Sequence, residues 1–170
     1  MSTTKSIVIA GFGGQGLLLA GKVIALTSMY QGKEVTWISS YGPEMRGGTA
    51  SCTVVVSDEP IGSPIVKHPD IAIVMNQPSY DKYNKLIAEN GYLIVNTSLI
   101  SRPECLECDD VYIPATELAR ELGNERVANM IMVGALKYML PTKYVRQALE
   151  ECFSNKELIE LNMKAFELCY

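Results

Sequence analysis

Gly11 to Gly16 reads GFGGQG, preceded by the apolar run Ile7-Val8-Ile9-Ala10 and followed by Leu17-Leu18-Leu19. Apolar and β-branched residues that stop at glycines mark a strand, and Leu17, Val23, Ile24, Leu26 and Met29 recur at helical spacing. A strand, a glycine loop and a helix are expected, in that order. The loop then falls at a helix N-terminus, where backbone N–H groups lack intrahelical partners and residues without Cβ let an anion approach the main chain. Gly11, Gly13, Gly14, Gln15 and Gly16 are therefore the candidate anion-binding residues, with Gln15 the loop's hydrogen-bonding side chain. Gly11, Gly13 and Gly16 also satisfy G-x-G-x-x-G, but the dinucleotide fingerprint needs an acidic residue closing the second strand. That strand, Glu34 to Ile38, runs instead into Ser39-Ser40-Tyr41, and Glu34 stands at its start, so NAD is not expected. No Gly-Lys-Ser/Thr follows, so the loop is not a P-loop either.

Outward from this unit, Gln31-Gly32-Lys33 stops the first helix. Ser40 to Gly48, SYGPEMRGG, is a Pro/Gly-punctuated loop with no room for a helix, and Thr49 to Ser57 alternates as a strand again. Strands joined by so short a loop are usually antiparallel neighbours, so the sheet should be mixed. Ile71 to Met75 reads as a buried strand. Asn76-Gln77-Pro78-Ser79 begins a helix that places Tyr80, Tyr83, Leu86 and Ile87 on one face. Tyr92 to Val95 and Asp110 to Ile113 are further strands, and Pro114 with Thr116 starts a helix through Leu122. Helices over Val127 to Leu140, Lys143 to Phe153 and Lys156 to Cys169 complete the chain. The expected fold is α/β: one three-layer α/β/α Rossmann-like domain over residues 1–170, with a mixed, mainly parallel sheet and a helical C-terminal part.

A length of 170 residues suits one core of ordinary size. A net charge of −4 and the lack of a Lys/Arg cluster argue against nucleic acid. MSTTK leads straight into a strand, with no signal-peptide core and no stretch of membrane-spanning length, which places the protein in the cytoplasm. Five cysteines without secretory context suggest reduced thiols. Cys105 and Cys108 form a lone C-x-x-C, which lacks the second half of a zinc site, and His68 before Pro69 reads as a solvated loop residue. Met130, Met132 and Met139 with Ile131, Val133 and Leu136 read as core, and Asn124-Glu125-Arg126 as a capped, solvated helix start. Asn129, polar within that apolar helix, needs a partner if buried.

An enzyme working alone needs an activated nucleophile, a tuned acid/base pair, a metal or a redox cofactor. No G-x-S-x-G elbow occurs, and the single histidine has no evident companions, so no catalytic residue is assigned. Two loops remain, GFGGQG and SYGPEMRGG, the second carrying Tyr41, Glu44 and Arg46. Both follow strand C-termini, where open α/β sheets bind ligands, so Tyr41 and Arg46 join the glycine loop as candidate binding residues. Equally, Glu44 and Arg46 could pair with each other or with a neighbouring chain, and the loop could serve either ligand or subunit.

GFGGQG, SYGPEMRGG, the Thr49-Ala50-Ser51-Cys52 strand and Asn129-Met130 with Gly134-Ala135-Leu136 together resemble the gamma subunit of the 2-oxoacid:ferredoxin oxidoreductases. The resemblance spans nearly the whole chain. It implies a heteromeric enzyme that oxidatively decarboxylates a 2-oxoacid to an acyl-coenzyme A and reduces ferredoxin. It implies alpha and beta subunits, with a ferredoxin-like delta subunit as a further candidate, that hold thiamine diphosphate, magnesium and iron-sulfur clusters, coenzyme A being co-substrate. The EMRGG form of the second loop is most similar to subunits acting on 2-oxoglutarate, then to those for branched-chain oxoacids and pyruvate. The indolepyruvate branch differs in this loop. The rival readings are a stand-alone nucleotide- or coenzyme-A-binding module and a purely structural interaction protein.

Overall fold

A computed structural model describes residues 4–41, 49–101 and 110–169. β1 (Lys5–Phe12) enters the glycine loop, α1 (Leu17–Tyr30) leaves it, and β2 (Glu34–Tyr41), β3 (Thr49–Ser57) and β4 (Ile71–Val74) follow. Then come α2 (Gln77–Tyr83), β5 (Tyr92–Asn96), β6 (Val111–Ile113) and α3 (Ala115–Glu121). A 3₁₀ turn (Glu125–Val127), α4 (Ala128–Gly134), α5 (Thr142–Cys152) and α6 (Lys156–Leu168) complete the order. The strands form one sheet, β2-β3-β1-β4-β5-β6, in which β3 alone runs against the others. The mixed, mainly parallel sheet expected from the short β2–β3 connection is present.

The elements differ from the sequence reading at several points; α2, for one, ends at Tyr83, so Leu86 and Ile87 follow the helix instead of lying on its face. The first strand does not stop at Ala10: pairing with β3 at Gly11↔Ala50 and Phe12↔Thr49 carries β1 two residues into the glycine run. The first strand, helix and second strand read from sequence as an opening βαβ unit, but β1 and β2 are not side by side, because β3 is inserted between them and pairs antiparallel with both. The helix expected over Val127 to Leu140 is regular only to Gly134, beyond which backbone bonds of the i−3 kind, Leu136 N to Val133 O and Lys137 N to Gly134 O, tighten it.

Period-two alternation of β1 splits the core. Ile7 and Ile9, with Cys52, Val54, Ile73 and Ile94, face α1 and the C-terminal helices, where Met130, Ile131, Met132, Val133, Leu136 and Phe166 are fully buried. The methionine stripe is core, as its all-round apolarity suggests. Val8, Ala10, Ala72, Val74, Leu93 and Val95 face the other way, under α2 with Tyr80 and Tyr83. Since α1 and α2 cover opposite faces, the crossover direction changes between β1 and β4, and a crevice is expected at their C-terminal ends.

Candidate functional site

The glycine loop is shaped by its own side chain and by a distant helix. Gln15 folds back, its Oε1 accepting from Phe12 N at 2.6 Å and its Nε2 reaching Met75 O at 3.5 Å. A Cβ at Gly11 would strike Gln15 Oε1 and come within 2.9 Å of Met75 Cβ, so glycine is required for this brace. Gly14 sits at φ 90 and Gly16, the residue before α1, at φ 72, backbone regions that favour glycine. Asn129, 1% exposed, donates from Nδ2 to Gly16 O at 2.9 Å and accepts from Met130 N at 2.8 Å. The buried amide thus ties α4 to the start of α1. Gly13 and Gly14 have open space where a Cβ would stand.

At the crevice between β1 and β4 lies a cleft of about 180 Å³ lined by Gly14, Gln15, Met75, Thr116, Glu125 and Arg126. Thr116, 6% exposed, accepts from Asn96 Nδ2 at 2.9 Å. Asn124 Oδ1 accepts from Arg126 N at 3.0 Å, the expected cap, while Glu125 is engaged by Arg120. On the β3 side of the loop a more apolar groove of about 260 Å³ runs past Phe12, Leu17, Leu18 and Ala50, with Phe12 and Leu18 exposed.

Of the residues expected at the site, Gly11, Gly13, Gly14, Gln15 and Gly16 lie at the head of β1, Gly11 within the strand itself. Tyr41 ends β2, whose Tyr41↔Ala50 and Ala50↔Gly11 registers put it two strands away, roughly 10 Å across the sheet. Arg46 and Glu44 lie outside the described residues, as do Cys105 and Cys108. His68 is exposed, its Nδ1 3.1 Å from Leu86 O. Thr116, Glu125 and Arg126 were not singled out as site residues from sequence. The rule that strand C-termini line the crevice points to Thr116, just after β6, whereas nothing local marks Arg126.

Among the described residues no group of three His, Cys, Asp or Glu is placed to hold a metal, so these donors do not fit a magnesium or cluster site. Burial pushes the Cys52 thiol up to about 11, despite a hydrogen bond with Trp37, which leaves it a poor nucleophile. Among those residues no helix is long and apolar enough to cross a membrane.

The model of the pyruvate ferredoxin/flavodoxin oxidoreductase family matches residues 6–170, and the chain belongs to that family. The gamma-subunit resemblance seen in the loops therefore holds across the chain. Ketoisovalerate oxidoreductase subunit VorA of Methanothermobacter marburgensis is 39% identical over 95% of this chain, which spans only 35% of that relative's length. 2-Oxoglutarate synthase subunit KorC of Methanocaldococcus jannaschii is also 39% identical, over 98% of this chain and 92% of its own. Among solved structures, the gamma subunit of a keto/oxoacid ferredoxin oxidoreductase from Geobacter sulfurreducens superposes with TM-score 0.82 at 30% identity, covering 96% of this chain and 95% of that one. These relatives are oxidoreductase subunits, so a free-standing binding module is not favoured.

Proposed function

We propose that this chain acts as one domain, the gamma subunit of a cytoplasmic, heteromeric 2-oxoacid:ferredoxin oxidoreductase, and that it helps to bind coenzyme A while other subunits perform the chemistry. In this reading alpha and beta subunits, with a ferredoxin-like delta subunit where present, carry thiamine diphosphate, magnesium and iron-sulfur clusters and pass electrons to ferredoxin. 2-Oxoglutarate is the proposed substrate, on the EMRGG form of the second loop. Equal identity to the 2-oxoglutarate and ketoisovalerate relatives makes branched-chain oxoacids the second choice.

The observation that carries the reading is the common direction of β1 and β2, which brings the glycine loop and the Tyr41 end of β2 to one end of the sheet. Backbone N–H groups there and the Arg46 guanidinium would meet a coenzyme A phosphate. A charge-assisted, partly bidentate contact contributes about 1.5–3 kcal/mol, so Arg46→Ala should weaken coenzyme A about ten- to a hundredfold, and Arg46→Lys should recover part. Titrating coenzyme A against the assembled complex, with its mass checked, is the test. An intact complex with unaltered affinity would remove Arg46 from the site, and loss of assembly would make it a subunit contact.

A further inference from the structure

We propose that Arg126 is the clamp for a phosphoryl group seated in the cleft between the glycine loop and α3. This rests on the reading of the glycine loop as a coenzyme A site and puts a cation on its β4 side, whereas Tyr41 and β2 lie on its β3 side. The cleft combines the Gly14-Gln15 turn, the Thr116 hydroxyl and the Arg126 side chain at the crossover change. Glu125, the carboxylate beside it, also lines the cleft and pairs with Arg120 at the surface. Arg126 lines the cleft and is exposed; its backbone N donates to Asn124 Oδ1, and among the described residues its guanidinium has no hydrogen-bond or ion-pair partner. Thr116, nine-tenths buried, lines the same cleft, and its hydroxyl oxygen accepts from Asn96 Nδ2.

Position is fixed as well as charge. Asn129, one helical turn beyond Arg126, bonds the carbonyl of Gly16, so the cation and the loop are held on one frame. A volume of about 180 Å³ is well below the roughly 300–1,000 Å³ of sites that enclose a whole drug-sized ligand. The cleft therefore suits a phosphate or diphosphate, with the remainder of the ligand held elsewhere. The fork of an arginine matches such an oxyanion with two parallel bonds, which a lysine cannot reproduce.

The phosphoryl group has two sources on coenzyme A, the 3′-phosphate and the diphosphate. Steady-state kinetics on the assembled oxidoreductase, with its mass checked, would compare coenzyme A and dephospho-coenzyme A in Arg126→Ala, Arg126→Lys and Arg46→Ala. Arg126→Ala should raise KM for coenzyme A roughly ten- to a hundredfold with kcat at saturation little changed, and Arg126→Lys should recover part. An equal rise with dephospho-coenzyme A assigns the diphosphate, and a rise with coenzyme A alone the 3′-phosphate; both support the clamp. An unchanged KM with Arg126→Ala, whether or not assembly is reduced, overturns it. In that event a rise with Arg46→Ala preserves the broader coenzyme A reading, and no rise with either variant removes both.

Discussion

Gly14 and Gly13 are adjacent, both have room for a Cβ, and they should nevertheless respond differently to substitution. Gly14 sits at φ 90, where an L-residue is strained by roughly 1–2 kcal/mol and a β-branched one by more, while Gly13 has no positive φ. Valine at Gly14 is therefore not a clean test of ligand approach, because the backbone it needs is one it resists. Gly13→Ala should leave the melting temperature nearly unchanged, and Gly14→Val should lower it by several degrees, as thermal unfolding of the two variants would show. Cys52 makes a pH-dependent prediction. Its thiol is raised from 9.0 to about 11, so the fold favours the neutral form; that contribution is complete below about pH 8.5 and is lost as pH rises through the interval from 9 to 11. Two units correspond to at most ~2.7 kcal/mol. Denaturant titrations at pH 8 and 10.5 should show a larger fall for the native chain than for Cys52→Ala.

Where α4 meets α6, the chain leaves no space. A Cβ on Gly134 would strike the Phe166 carbonyl and come within 2.8 Å of Cys169 Cβ, so Gly134→Ala should cost about 1–3 kcal/mol by forcing the helices apart. A destabilisation below 0.5 kcal/mol in urea would contradict this packing. The same helix shows where sequence legibility ended: Met130 to Leu136 is apolar on every side and gives no period from which to locate the shift to i−3 bonding. Helix starts fared better, since Asn76 and Asn155 carry short polar side chains that cap Ser79 N and Glu157 N. β1 ran past its expected end because strand pairing by β3, a distant partner, overrode the breaking tendency of Gly11. The site divides in the same way. GFGGQG was readable because its chemistry is local, whereas Arg126 joins the loop only through the sheet order and the Asn129 bond to Gly16.

At the scale of the whole molecule, one sheet face is thinly dressed. β2 is an edge strand, and Ile38, which shares a face with Thr53 and Val8, is 44% exposed. Exposed apolar edges favour association, so the isolated chain should self-associate at high concentration and Ile38→Lys should reduce this, as sedimentation velocity would record. A strictly monomeric native chain would contradict the prediction. The inserted strand β3 has a further consequence. β1, paired on both sides and buried on both faces, should hold its amide protons longest against exchange with solvent, while the β2–β3 hairpin opens more readily from its free side. The glycine loop thus hangs from the slowest-exchanging strand and Tyr41 from one of the fastest. A ligand bridging the two would slow deuterium uptake in β2 far more than in β1, so half of such a site would be built in advance and half would be set by its occupant.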